Sequence, residues 1–228
     1  MDHILLIEDD PGVGSSLKDA LEHNAFQVTW KTDGEQGLTA LTLEKPQLVL
    51  LDLRLPDSTG IEICRRIRQM GQRLPVIMLT IQNEEIDKVL ALEIGADDYV
   101  TKPFSLRELI SRIRAQLRRA YGDLSNAQSD SIYVHDLSLD LTAGKAWRGE
   151  TEMMLTPVEF RLLVFLARNH GVALSRSQIV ESVWGHSSDI DSENAVNVHI
   201  RRLREKVEIS PEKPDMILTV PGIGYRFV

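Results

Sequence analysis

Residues 48–60 read Leu-Val-Leu-Leu-Asp-Leu-Arg-Leu-Pro-Asp-Ser-Thr-Gly. The opening four are all apolar. A strand with one wet face alternates, whereas an unbroken apolar run belongs to a parallel sheet covered by helices on both faces. Ile4–Ile7 and Val76–Leu79 are equally apolar, and Gln27–Lys31 and Asp98–Val100 read as two further strands. Between and after them lie helical patterns at about 11–24, 34–44, 58–70, 83–94 and 105–119, with Asp33, Asp57 and Ser105 as N-caps. Five such βα units predict a doubly wound α/β domain over residues 1–119, built on a five-stranded parallel sheet. Folds of this kind place their sites at the carboxyl ends of the strands.

Those ends carry a consistent chemistry. Glu8 and Asp9 follow the first strand, Asp52 ends the third, Thr80 ends the fourth and Lys102 follows the fifth. Carboxylates at strand ends are ordinarily helix caps, and Asp9 or Asp10 alone would be read so. Five polar groups at the ends of four strands are not explained that way. Three clustered acids repel unless a cation neutralises them, and an all-oxygen set without His or Cys suits Mg²⁺. A carboxylate nucleophile beside a hard metal, a hydroxyl and an ammonium suits phosphoryl transfer onto Asp52.

Residues 120–130 lose the periodicity and read as a linker. The remainder, 131–228, has short alternating strands around 131–152, helical patterns at about 157–169, 176–184 and 191–208, and a closing hairpin around Pro221-Gly222-Ile223-Gly224. Three helices followed by a hairpin predict a winged helix-turn-helix of α+β class. Thr156 is the expected N-cap of its first helix, with Pro157 at the first helical position. Trp184 is expected in the core. On the 191–208 helix, Ala195, Val198, Leu203 and Val207 fit a buried face and Asn194, Asn197, Arg201, Arg204 and Glu208 an exposed one. Asn bonds adenine through two atoms, and Arg bonds guanine or phosphate. His199 and Arg202 lie off that line and are expected at backbone phosphates or in local caps.

The net charge of −8 at first argues against nucleic acid as a partner. By segment the picture changes: residues 1–119 hold 15 Lys and Arg against 19 Asp and Glu, and residues 131–228 hold 11 against 13. Within the second part, Arg201-Arg202-Leu203-Arg204-Glu205-Lys206 gathers four cations in six positions. A single cysteine, Cys64, excludes an intramolecular disulfide and a multi-cysteine zinc site. No apolar run reaches the roughly 18 residues of a membrane span, and Met1-Asp2-His3 lacks a basic leader. The expected location is cytoplasmic, with no membrane partner.

Four stretches of the first part resemble the receiver domains of bacterial response regulators: Ile-Glu-Asp-Asp at 7–10, Leu-Asp-Leu-Arg-Leu-Pro-Asp-Ser-Thr-Gly at 51–60, Met-Leu-Thr at 78–80 and Gly-Ala-Asp-Asp-Tyr-Val-Thr-Lys-Pro-Phe at 95–104. The second part resembles the winged helix of the OmpR/PhoB family in Leu-Thr-Pro-Val-Glu-Phe-Arg-Leu-Leu at 155–163, Val-Asn-Val-His-Ile-Arg-Arg-Leu-Arg at 196–204 and Val-Pro-Gly-Ile-Gly-Tyr-Arg-Phe at 220–227. The resemblance implies a flavodoxin-like receiver followed by a DNA-binding domain, and a regulator rather than an enzyme. It makes Asp52 the phospho-acceptor, Asp9 and the Arg54 carbonyl direct Mg²⁺ ligands, and Glu8 a ligand partly through water. Lys102 and Thr80 would bond the phosphoryl group, with Tyr99 as an aromatic switch. A dimer face would carry Lys88, Asp97, Asp98, Glu108, Arg112 and Arg119, pairing Lys88 with Glu108, Asp98 with Arg112 and Asp97 with Arg119 across a two-fold axis. The implied partners are a histidine kinase, RNA polymerase, a second copy on phosphorylation, and duplex DNA with two half-sites in direct repeat.

Three positions depart from the family pattern. Ile81 stands where a small residue is usual, which would screen the acceptor from water. Pro221 replaces the usual wing arginine, and Asn194 stands where a basic residue is common, so the electrostatic share of DNA binding falls. Two other classes fit parts of the pattern. A Mg²⁺-dependent phosphatase would use Asp52 as its nucleophile, but such enzymes commonly carry an acid where Arg54 stands. A constitutive DNA-binding protein would use an unphosphorylated receiver only for docking.

Overall fold

The computed structural model describes residues 1–81, 94–121, 131–185 and 192–228. The expected 83–94 helix, Lys88 and the side chain of Ile81 lie outside them, as does most of the linker. The chain divides into two compact units, Met1–Asp123 and Leu124–Val228.

In the first unit five parallel strands, β1 (His3–Ile7), β2 (Gln27–Lys31), β3 (Leu48–Asp52), β4 (Val76–Ile81) and β5 (Asp98–Lys102), lie in the order β2-β1-β3-β4-β5. Their side chains alternate between two covered faces. Ile4, Leu6, Leu48, Leu50, Ile77 and Leu79 meet Leu17 and Leu21 of α1 (Pro11–His23) and Leu109, Ile113 and Leu117 of α4 (Leu106–Tyr121) in one core cluster. On the opposite face lies α2 (Gly34–Glu44), packed closely enough that a Cβ on Gly37 would meet Ile7. With both faces covered, alternation has no polar side to show, hence the unbroken apolar runs. The strand order reverses between β1 and β3, which opens the crevice above their carboxyl ends.

Helix starts follow their caps. Asp10 accepts the amides of Gly12 and Val13, Asp33 accepts Gln36, and Ser105 accepts Glu108. The expectation for Asp57 is corrected: the cap of α3 (Gly60–Gln69) is Thr59, which accepts Glu62 N–H. Asp57 instead accepts Gly34 and Glu35 N–H at 2.9 and 3.0 Å, ties the β3–α3 loop to the start of α2, and is held below the usual carboxylate range by those bonds. α4 runs on to Tyr121, whose hydroxyl donates to Gln47 O at 3.0 Å.

The second unit begins with a four-stranded antiparallel sheet, β6 (Ser131–Val134), β7 (Leu137–Asp140), β8 (Lys145–Arg148) and β9 (Thr151–Met153). Three helices follow: α5 (Pro157–Arg168), α6 (Arg176–Val183) and α7 (Ser192–Val207). The hairpin β11 (Ile217–Val220) and β12 (Gly224–Phe227) closes the chain, and β10 (Ala173–Ser175) adds to it in the order β10-β12-β11. α5 starts with a reciprocal cap, Glu159 N–H to Thr156 Oγ1 and Thr156 N–H to Glu159 Oε2, with Pro157 at its first turn. Trp184 is buried, as expected.

Candidate functional site

The polar strand ends of the first unit converge. Glu8, Asp9 and Asp52 each offer a carboxylate oxygen, all within 4.8 Å of one another. Lys102 Nζ donates to Glu8 Oε2 at 2.7 Å and to Asp52 Oδ2 at 3.1 Å. Glu8, Asp52 and Thr80 are buried, Lys102 is half-buried and Asp9 faces solvent. Tyr99, in the strand beside Thr80, is buried too. Burial, and then the Asp52 charge, raise the Glu8 carboxyl against the pull of Lys102. Burial works against the Lys102 ammonium, yet Glu8 and Asp52 outweigh it and hold it above its usual value. One ammonium among three acids leaves the pocket short of positive charge, and its donors are hard oxygens. The cluster can hold a metal ion of the Mg²⁺ kind.

Backbone contacts fix the acceptor. Leu53 N–H donates to Leu79 O at 3.0 Å, Gly60 N–H to Leu53 O at 2.8 Å, and Arg54 bridges Thr59, so the loop folds back under Asp52. Arg54 itself is exposed. Gly60 is required by proximity: a Cβ there would lie 2.1 Å from Asp52 O and 2.9 Å from Leu53 Cα, both backbone. Gly60→Val should therefore cost about 1–3 kcal/mol or more by overpacking and displace Asp52. The check is a urea melt with phosphoryl uptake; an unshifted midpoint with normal uptake contradicts it. Trp30, which the sequence did not mark, donates its indole N–H to Glu8 O at 2.8 Å. That bond ties β2 to the residue that follows β1.

Of the expected dimer-face residues, Asp97 is corrected. It is fully buried, accepts Arg68 Nη2 at 2.7 Å and Val76 N–H at 2.9 Å, and anchors the start of β4. Asp98 and Glu108 both lie against Arg112 of the same chain, at 3.4 and 3.0 Å. Burial raises the Asp98 carboxyl in spite of Arg112. Arg119 is partly exposed near the end of α4.

In the second unit Asn194, Asn197 and Arg201 form an exposed row on α7, with Arg201 3.4 Å from Glu205. Asn197 Oδ1 accepts Arg176 Nε at 3.0 Å and the Tyr225 hydroxyl at 2.8 Å. Arg204 is half-buried and staples α7 to the wing through Ile217 O, at 2.9 and 2.6 Å, and Thr219 Oγ1. His199 and Arg202 are not at this surface. His199 is wholly buried with its ring 5.1 Å from Trp184, and Arg202 Nη2 lies 2.9 Å from the buried Glu159. Arg202 points back toward α5, whose Glu159 sits forty-three residues upstream of it in the sequence. Glu208 is also corrected: the helix ends at Val207, and Glu208 turns in to accept the amides of Asp215, Met216 and Ile217.

Comparison with known proteins fits these two units. The family model described as response regulator receiver domain matches residues 4–114, and the one described as transcriptional regulatory protein, C terminal, matches 150–227. The chain is 43% identical over 223 residues to the DNA-binding response regulator MtrA of Mycolicibacterium smegmatis, covering 98% of this chain and 95% of that one. This chain belongs to the OmpR/PhoB family of response regulators. It is 39% identical to the alkaline phosphatase synthesis transcriptional regulatory protein PhoP of Bacillus subtilis, covering 98% of this chain and 95% of PhoP. The crystal structure of DrrB, a Thermotoga maritima OmpR/PhoB homolog, aligns over 100% of this chain and 99% of its own at 32% identity and a TM-score of 0.52. As an OmpR/PhoB response regulator, the chain joins a receiver to a DNA-binding transcriptional domain. No helix among the described residues is long and apolar enough to cross a membrane.

Proposed function

We propose that Asp52 of this OmpR/PhoB regulator accepts a phosphoryl group from a partner histidine kinase, and that the product controls DNA binding through α7. The observation that carries this reading is Lys102, whose ammonium bonds both Glu8 and Asp52 in a pocket of three carboxylates. An Asp52 oxygen attacks phosphorus, the bond from phosphorus to the donor imidazole breaks, and that imidazole takes up a proton. Lys102 shields the acceptor from its neighbours and then follows the transferred oxygens, while the Thr80 hydroxyl supplies a further donor. Glu8, Asp9, Asp52 and the Arg54 carbonyl would hold Mg²⁺. Bound there, the ion would neutralise the acids and orient the phosphoryl oxygens.

Phosphorylation adds about −1.5 to −2 charges at the end of β3. Thr80 of β4 and Tyr99 of the neighbouring β5 are the residues we assign to sensing it. Two phosphorylated receivers would pair through the face bearing Glu108, Arg112 and Arg119, with Asp98 holding Arg112 in place and Lys88 joining them. Pairing would set two α7 helices on direct-repeat half-sites, where Asn194, Asn197 and Arg201 meet the major groove. RNA polymerase is the further partner such a complex would address, in the cytoplasm. No catalytic turnover is assigned beyond the receiver's own phosphoryl transfer.

The test is labelling by a small acyl phosphate. Wild type should take up one phosphoryl group with Mg²⁺ and almost none with a chelator, and Asp52→Ala none under either condition. Equal labelling of wild type and Asp52→Ala would overturn the assignment.

A further inference from the structure

The hydrogen-bond polarity of Asn197 is settled by its neighbours. Arginine has only donors, so the amide atom facing Arg176 Nε at 3.0 Å must be the oxygen. The Tyr225 hydroxyl reaches that same oxygen at 2.8 Å. A carbonyl oxygen has two lone pairs, and both are engaged. The donors are themselves held. Tyr225 is buried in β12, with the Arg176 guanidinium 5.4 Å and the Arg204 guanidinium 5.6 Å from its ring centre. Arg204 is stapled in turn to Ile217 O and Thr219. Three elements, α6, α7 and the wing, thus fix the oxygen of Asn197 inward, while the residue itself is exposed on the outer row of α7.

Given the reading of α7 as the helix that enters the major groove, we infer that Asn197 is a donor-only base reader. It presents its NH₂ and no acceptor. The two-bond contact with adenine needs an amide oxygen for N6–H and an amide N–H for N7, so it is closed to this residue. What remains is a bond to a base-edge acceptor, and the one that adenine and guanine share in the major groove is N7. At the base pair it contacts, this regulator should accept guanine as readily as adenine and reject cytosine, whose N4 offers only a donor.

The experiment starts with selection of duplexes from a random pool by the full-length, phosphorylated wild-type protein. Purines of the enriched site are then replaced one at a time. At one position per half-site, a 7-deaza purine should weaken binding about tenfold, while removing the adenine N6 amino group should change it less than about twofold. Asn197→Asp keeps an oxygen for Arg176 but turns an acceptor outward, so its own selection should move that one position to cytosine and leave the others unchanged. Loss of the N6 group that costs as much as loss of N7 overturns the inference, and so does a site with no sensitive purine. An Asn197→Asp selection identical to wild type also overturns it. If wild type enriches no sequence, the reading of α7 as a DNA reader fails, and this inference with it.

Discussion

Replacing Glu159 by alanine should destabilise the second unit by about 3–5 kcal/mol, the cost of removing one partner from a buried ion pair. Glu159 is fully buried, caps its own helix through Thr156, and faces Arg202 at 2.9 Å and the Lys206 ammonium. Burial pushes its carboxyl up, but Arg202, Lys206 and the Thr156 amide outweigh that and hold it below the usual range. Without it the buried Arg202 guanidinium and the partly exposed Lys206 ammonium of α7 lose the counter-charge they share. Because the folded value is depressed, this contribution is present above the unfolded carboxylate pKa and fades as pH falls through the folded one. Urea unfolding of the full chain, followed by fluorescence, checks the size; a loss below about 1 kcal/mol contradicts a buried anchor. The same variant should lose operator affinity, because Glu159 fixes the helix that carries Asn194, Asn197 and Arg201.

His199 gives the second large effect, in acid. Its ring is buried against Trp184, and burial, with help from the Arg202, Arg161 and Lys206 charges and against Glu159, pushes it down from 6.5 to about 3. The folded chain therefore refuses a proton that the unfolded chain accepts. Stability is unaffected above the unfolded value near 6.5 and falls as pH drops toward 3. The linkage amounts to about 2 kcal/mol at pH 5 and about 4–5 kcal/mol at pH 3. Between pH 6.5 and 5 most carboxylates stay ionised, so the histidine should set the slope. Unfolding free energies at those two pH values, for wild type and His199→Leu, measure it. The variant should lose about 2 kcal/mol of the difference, and an equal slope in both proteins contradicts the assignment.

These two residues also show what a sequence can and cannot reveal. Three of the receiver's five strands were legible because burial on both faces writes an unbroken apolar run, and the pocket because strand ends are fixed once strands are. β10 escaped because three residues are too few to show a period. Asp57 and Thr59 both suit an N-cap, and only the approach of α2 decides that Asp57 serves another helix. His199, Arg202 and Asp97 look like surface groups until their distant neighbours, Trp184, Glu159 and Arg68, are brought against them. Tyr225 was legible as part of the wing motif, but its hold on Asn197 exists only in three dimensions. Long-range pairing of polar groups leaves no local signature, whereas apolar periodicity does.

Control of DNA binding by α7 through chemistry at Asp52 is the proposed function. It is tested most directly by titrating the full-length protein onto its selected operator before and after phosphorylation, with Asp52→Ala alongside. Phosphorylated wild type should bind about tenfold tighter or more, and Asp52→Ala should not respond. Equal affinity of the two wild-type forms would contradict it.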